Sequence, residues 1–297
     1  MNTTDVSALL SLLLTDAGLP GDVEREPLRV WARSGVERLR FGGGASVVFK
    51  YAEEPFDTEH LALRLAARGG VPTPTLRAAR TAPGLLGMLL EDLGDPVRDA
   101  DDNDGAHAAV RLHQVDGTAP GMERVDTAAL AAMPQRITAR LQRLDLSDLR
   151  DDARVLEAVA ANRASGADRP PFGLCHSEFH PTSLHLGEHG WHLLDFARAF
   201  IGPGLLDLAS WHGTLDNPRP ARTLDLIESY VAAGGPPEAL ARRGGLDAAS
   251  WALGWHRVWV VDWFTEQIER GWAQGAEEAW ITAISRHLNE ALTLLEA

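Results

Sequence analysis

The 297-residue chain contains one lysine, Lys50, against 27 arginines. Lys50 closes the apolar run Val47-Val48-Phe49-Lys50, just after Phe41-Gly42-Gly43-Gly44-Ala45. A chain that uses arginine for nearly every cation has kept an ammonium at one strand-like position, which points to a compact point charge in place of a guanidinium fork. The plainer alternative is a surface lysine on an exposed strand edge. The densest polar text is Leu174-Cys175-His176-Ser177-Glu178-Phe179-His180-Pro181-Thr182-Ser183-Leu184-His185-Leu186, followed by Trp191-His192-Leu193-Leu194-Asp195-Phe196-Ala197. Two short apolar pairs bracket a polar loop, and the carboxylate of Asp195 stands at the end of the second strand. His176, His180, His185, His189 and His192 invite a metal reading, but their spacing matches no zinc signature. Cys175, in an apolar strand, reads as a small buried hydrophobe.

These groups need elements to position them. Ala8 to Leu14 reads as an amphipathic helix, too short to span a membrane. Leu28 to Leu39 and Ala45 to Tyr51 read as short strands, with Gly42-Gly43-Gly44 as the turn joining the second pair. Thr58 to Arg68 has helical spacing and is stopped by Gly69-Gly70. Val71-Pro72-Thr73-Pro74 leads in extended form to another strand, and Leu85 to Leu90 is apolar enough to be a buried one. It breaks into Glu91-Asp92-Leu93-Gly94-Asp95-Pro96, which has linker chemistry. From Val97 onward the pattern turns helical, over Ala106 to Gln114, Thr127 to Leu144 and Asp152 to Ala164, with one strand-loop-strand unit between Leu174 and Phe200. The acidic run Asp99 to Asp104 reads as a solvated loop. Trp251, Trp255, Trp259 and Trp263, each four apart, mark one face of a C-terminal helix and read as core packing. A second reading makes them a platform for a cationic group, with Asp262 and Glu266 nearby.

The polar segment resembles the catalytic and metal-binding loops of the aminoglycoside phosphotransferase and choline kinase branch of the protein-kinase-like fold. That family's pattern is His-Gly-Asp, four residues, Asn, then after a hairpin Asp-Phe-Gly or a variant. The likeness extends along most of the chain. Lys50 falls at the nucleotide-lysine position, Glu59 at its ion-pair partner, and Leu90-Glu91-Asp92-Leu93 at the hinge. Arg111-Leu112-His113 is similar to the helix motif after the hinge, and Gly202 to Ala209 to the segment ending in Asp-Leu-Ala. The resemblance implies an α+β, bilobal fold: a small antiparallel β-sheet lobe with one helix over residues 1–94, and a larger, mainly helical lobe over 95–297. It implies ATP, or GTP, with Mg²⁺ as cofactors. Lys50 would contact the α- and β-phosphates, Glu59 would hold the ammonium, and Ser183 and Asp195 would bind the metal. Backbone groups around Glu91, Asp92 and Leu93 would meet the base, and Ser34-Gly35 would form a shortened phosphate-covering loop. Such a site holds the triphosphate, neutralises its charge and aims a nucleophile.

The departures fall in the catalytic loop. Glu178 stands at the family's catalytic Asp, Ser183 at its metal-binding Asn, Ser177 at the Gly after the motif's His, and Ala197 at the Gly after Asp195-Phe196. Glutamate keeps the charge but shifts it by one methylene, and a misplacement of about 1 Å can cost roughly 100-fold in rate. Between the two N-terminal strands, Arg33-Ser34-Gly35-Val36-Glu37-Arg38 holds one glycine where a phosphate-wrapping loop usually needs several. Two functions follow. One is a phosphotransferase acting on a hydroxyl of a small molecule, such as a cationic antibiotic or natural product in resistance or biosynthesis, or on a peptide Ser/Thr. The other is a drifted pseudokinase that binds nucleotide or a partner protein.

Composition sets the remaining bounds. Hydrophobic residues at 45% and charged residues at 24% are ordinary for a globular protein. A formal net charge of −14 disfavours nucleic acid and anionic membrane as partners and would draw in a cationic substrate. With Cys175 as the only cysteine there is no intramolecular disulfide, which fits a reducing, cytoplasmic compartment. A monomer or a homodimer is expected.

Overall fold

Val47, Phe49 and Tyr51 alternate with Val48 and Lys50 along β3 (Ser46–Glu53), so the strand sends an apolar set to one face and its lysine to the other. The computed structural model describes residues 3–31 and 33–296. In it β3 is the centre of a five-stranded antiparallel sheet, ordered β1-β2-β3-β5-β4. The other strands are β1 (Glu24–Val30), β2 (Ser34–Arg40), β4 (Leu76–Ala82) and β5 (Leu85–Glu91). Helix α1 (Thr3–Asp16) covers the apolar face, where its Leu9, Leu10, Leu13 and Leu14 join Leu39, Val47, Phe49, Tyr51 and Leu89 in one core. Gly87 admits that helix, because a Cβ there would lie 2.8 Å from methyl carbons of both Leu9 and Leu13.

The chain divides into two units, the first comprising Met1–Ala100, Gly117–Met122 and Thr182–Ala199. Besides the sheet and α1, the first unit holds α2 (Glu59–Arg68) and a two-stranded hairpin, β7 (Leu184–Gly187) with β8 (Gly190–Leu193). Helix α2 buries Ala62, Leu63, Leu65 and Ala66 and stops at Gly69-Gly70, with Gly70 at a φ of +81° that suits only glycine well. The hairpin is tied in at both strands, since Leu193 N–H donates to the Pro72 carbonyl and Val97 N–H to the Leu186 carbonyl.

The second unit comprises Asp101–Asp116, Glu123–Pro181 and Phe200–Ala297. Its helices are α3 (Asp102–His113), α4 (Thr127–Arg143), α5 (Ser147–Arg163), α6 (Leu205–Ser210), α7 (Pro220–Ala232), α8 (Ala248–Glu269) and α9 (Glu277–Leu294). One strand pair, β6 (Phe172–Cys175) with β9 (Phe200–Pro203), accompanies them. Trp251 and Trp255 on α8 are fully buried, and both indole N–H groups donate to the Arg163 carbonyl, at 2.7 and 3.1 Å. Packing thus accounts for the first half of the tryptophan stripe, while Trp263 is only half-buried and stacks on Trp280.

Two details depart from the sequence reading. The acidic run is not simply a solvated loop: Asp101 caps α3 by accepting from Asp104 N–H while Asp104 accepts from Asp101 N–H. Such a reciprocal box satisfies two otherwise orphaned donors. The β1–β2 connection is also narrower than expected. Residues 34–38 belong to β2, β1 runs to Val30, and Trp31 N–H donates to the Ser34 carbonyl.

Candidate active site

The first unit brings Lys50, Glu59 and Asp195 into direct contact. Lys50 Nζ lies 2.7 Å from Glu59 Oε2 and 2.7 Å from Asp195 Oδ1. Each element delivers its residue for a local reason. β3 turns Lys50 away from the α1 core, α2 begins at Glu59, and the β7–β8 hairpin returns the chain to Asp195. Asp195 adopts a φ of +64°, a conformation uncommon outside glycine and best tolerated by Asn and Asp. Glu59 Oε1 also accepts the Phe196 N–H at 3.1 Å, so the residue after Asp195 is pinned to the same carboxylate.

Exposure grades across the trio: the Glu59 side chain is 2% exposed, Lys50 12% and Asp195 43%. Burial works against the Lys50 ammonium, but Glu59 and Asp195 outweigh it and its pKa lies above the ordinary value. Burial likewise dominates at Glu59 and pushes its carboxyl up to about 7, against the pull of Lys50. The lysine therefore stays charged, and Glu59 is the member that takes up a proton as pH falls through neutrality. Asp195 is the carboxylate that faces outward.

Ser183 stands at the same open end of the hairpin as Asp195. Leu184 pairs with Leu193, and Leu194 N–H donates to the Ser183 carbonyl at 2.8 Å, so the two candidate metal ligands come from adjoining strand ends. One exposed carboxylate and one hydroxyl are hard oxygen donors, and Mg²⁺ characteristically takes one or two protein oxygens and keeps waters and phosphate for the rest. The donor set fits that ion.

The expected nucleotide-contacting residues divide. Ser34 pairs with Ala52 and Val36 with Lys50, so both share the lysine's face of the sheet. Gly35 faces the other way, where the Tyr51 ring fills its space and a Cβ would sit 2.3 Å from the Tyr51 hydroxyl. At the hinge both carboxylates are held by protein groups. Glu91 accepts from Thr75 N–H and Oγ1, and these bonds lower its pKa. Asp92 pairs with Arg38 at 2.8 Å; burial opposes its charge, but bonds from Ser46, Gly94 N–H and Arg38 still leave its pKa lowered. The His185 ring bonds the Leu93 backbone. Any contact to a base at this hinge therefore falls to main-chain groups.

Glu178 belongs to the second unit, half-buried in the bend after β6. Its loop is fixed by α6. The fully buried Asp207 accepts from His176 N–H at 2.8 Å and Ser177 N–H at 2.9 Å, and His113 Nε2 stands 3.3 Å from it. Ser210 Oγ donates to the Phe179 carbonyl, and His180 Nδ1 meets the Ser210 carbonyl at 2.9 Å, which fixes the protonated nitrogen because a carbonyl can only accept. Burial lowers the His180 pKa and keeps the ring neutral. Ser177 carries a φ of +74° and a buried hydroxyl without a hydrogen-bond partner, both costs that glycine would not bear. Sequence reasoning singled out Asp207-Leu208-Ala209 and His113 as motif positions but assigned Asp207 no work. Its role as the loop's anchor required seeing which buried N–H groups lacked other acceptors.

This small antiparallel sheet with its lysine, glutamate and aspartate, and the helical unit with its anchored loop, define a protein-kinase-like fold. The chain belongs to the phosphotransferase enzyme family, whose model matches residues 48–246. Its structure is similar to a choline/ethanolamine kinase family protein from Mesorhizobium loti, at 16% identity and a TM-score of 0.68, covering 100% of this chain and 96% of that one. It is also similar to a macrolide 2'-phosphotransferase from Brachybacterium faecium, at 19% identity and a TM-score of 0.61, covering 95% and 98%. A third likeness is to an amicoumacin kinase in complex with AMP-PNP, Ca²⁺ and Ami, at 14% identity and a TM-score of 0.61, covering 100% and 94%. Among the curated proteins none matches the sequence. Among the described residues no helix is long and apolar enough to cross a membrane.

Proposed function

We propose that the protein transfers the γ-phosphoryl group of a nucleoside triphosphate, ATP or GTP, to a hydroxyl of a small molecule or a peptide. The observation that carries this reading is the Lys50–Glu59–Asp195 trio, an ammonium held at 2.7 Å by two carboxylates of which one faces outward. Residues 1–94 bind the nucleotide, with Lys50 on the phosphates, Glu59 fixing its ammonium and hinge main-chain groups on the base. Asp195 and Ser183 would hold Mg²⁺, which when bound neutralises phosphate charge. Residues 95–297 carry the acceptor, and Glu178 orients its hydroxyl and receives the proton. A bond forms from the acceptor oxygen to the γ-phosphorus, the bond from that phosphorus to the bridging oxygen breaks, and the nucleoside diphosphate leaves with the electron pair. The relative that binds AMP-PNP with a divalent cation supports the cofactor part of the reading.

The test is nucleoside diphosphate release with Mg²⁺ and pooled hydroxylated acceptors, for the native protein and Glu178→Gln. Acceptor-dependent release that drops at least 100-fold in the variant is expected. Nucleotide binding without release, with release emerging only in Glu178→Asp, would instead establish the drifted module.

A further inference from the structure

On a chain of net charge −14, an open recess of about 100 Å³ in the second unit is lined by His212, Arg219, Arg222 and Arg257, with Asp216 as its one acidic side chain. Arg257 is tied into the protein: it pairs with Glu290 at 2.6 Å and donates to the Thr214 and Asp216 carbonyls, which shapes the wall. Arg222 is held only loosely, 3.6 Å from Asp102 Oδ2, because that carboxylate already accepts from Trp211 Nε1 and faces His212. Arg219 makes no ion pair among the described residues and is exposed at the rim. Cations gathered in a cleft focus potential there, and guanidinium groups bind carboxylate and phosphate oxygens through paired N–H donors.

Two further features point to an oxyanion. The 13-residue α7 begins in this recess with Arg219 as its N-cap and Pro220 next, and no side chain caps the first turn. Its amide donors and dipole favour negative charge. Thr223, one turn in, is 2% exposed and lines the recess, yet its hydroxyl makes no hydrogen bond among the described residues, unlike Thr265 and Thr282, which back-bond to Val261 and Glu278. That hydroxyl is left to meet a ligand in the recess that Thr223 lines.

The recess adjoins the loop that carries Glu178. Asp207 and Ser210 of α6 hold residues 176–180; of the two residues that follow α6, Trp211 packs on the Phe179 ring at 5.0 Å and His212 lines the recess. We infer that this recess is an oxyanion subsite that takes a carboxylate or phosphate group of the acceptor, so that the acceptor is a hydroxylated acid or phosphate ester. The oxyanion site stands by itself, while its assignment to the acceptor rests on the phosphotransferase reading.

Calorimetric titration of the full chain with inorganic phosphate, and separately with acetate, tests the site in a Lys50→Ala background, where the nucleotide lysine is absent. One equivalent bound is expected, weakened at least tenfold by Arg219→Ala with Arg222→Ala and severalfold by Thr223→Val. The preferred anion tells phosphate from carboxylate. Equal binding with and without the arginines, or no binding to the Lys50→Ala protein, overturns the site. For the acceptor, phosphoryl transfer is assayed with pooled hydroxy acids and sugar phosphates against pooled hydroxylated amines. Transfer to the anionic pool, with KM raised at least tenfold by the paired arginine variant, supports the assignment. Transfer to amines alone, untouched by that variant, refutes it and leaves the phosphotransferase reading intact.

Discussion

Lys50 Nζ and Asp195 Oδ1 lie 2.7 Å apart although 145 residues separate them in the chain. A sheet strand and the end of a distant hairpin thus deliver opposite charges to one point, and the buried Glu59 fixes the ammonium from its other side. The arrangement explains why arginine did not replace this one lysine: a single nitrogen reaches two carboxylates at once, which a planar fork does less well.

Removing the ammonium should leave Glu59 buried without its counter-charge. Lys50→Ala is expected to cost about 3 kcal/mol at pH 8. The cost should shrink in acid. In the native protein burial already raises the Glu59 carboxyl from 4.5 to about 7 against the pull of Lys50, and losing that ammonium raises it further, so protonation below neutrality relieves the variant more than the native protein, and that relief is lost as pH rises above 7. Urea denaturation of Lys50→Ala at pH 6 and pH 8 checks this, and adding Glu59→Gln should remove the difference between the two pH values.

Ser177 occupies a left-handed backbone with its hydroxyl buried and unpartnered. Replacing it with glycine should stabilise the fold by roughly 1 kcal/mol, since both costs vanish while the backbone donor to Asp207 remains. A melting temperature equal to or below the native value would contradict the strain argument.

His287 is fully buried beside Glu290 and Phe264, and burial lowers its pKa to about 4. A histidine kept neutral in the fold contributes stability above its unfolded value of 6.5, and that contribution is lost as pH falls toward 4. The native protein should lose up to about 3 kcal/mol over that window relative to His287→Gln. Chemical denaturation of both proteins at pH 6.5, 5.5 and 4.5 measures it.

Along α8 the tryptophans should behave unequally. Trp251→Ala removes a fully buried ring and an indole donor, and is expected to cost about 4 kcal/mol, whereas Trp263→Ala, half-buried, should cost well under half of that. Thermal unfolding of the two variants gives the comparison.

Much of this was legible in the residues, for identifiable reasons. Lys50 was conspicuous because its residue type is unique in the chain, and the helical stop at Gly69-Gly70 and the apolar run from Leu85 carry local signals that survive folding. The link from Lys50 to Asp195 came only from ordered motifs, since no local pattern encodes a contact across 145 residues. Gly35 carries a second reason to be glycine that spacing alone cannot reveal: it makes room for Tyr51, its cross-strand partner. The capping box at the start of α3 is hidden among acidic neighbours, because in sequence it looks like any charge run. The cationic recess was invisible in a net charge of −14, because Arg219 and Arg222 are ordinary surface residues until His212 and Thr223 are folded beside them.

The most direct measurement is the melting temperature of the native protein and of Asp195→Ala with and without millimolar ATP and Mg²⁺, since a ligand that binds only the folded state raises it by mass action. A rise of several degrees in the native protein that is absent in the variant is the expected result. No rise in the native protein, or an equal rise in both, would contradict the assignment of the lysine and its two carboxylates as the polyphosphate grip.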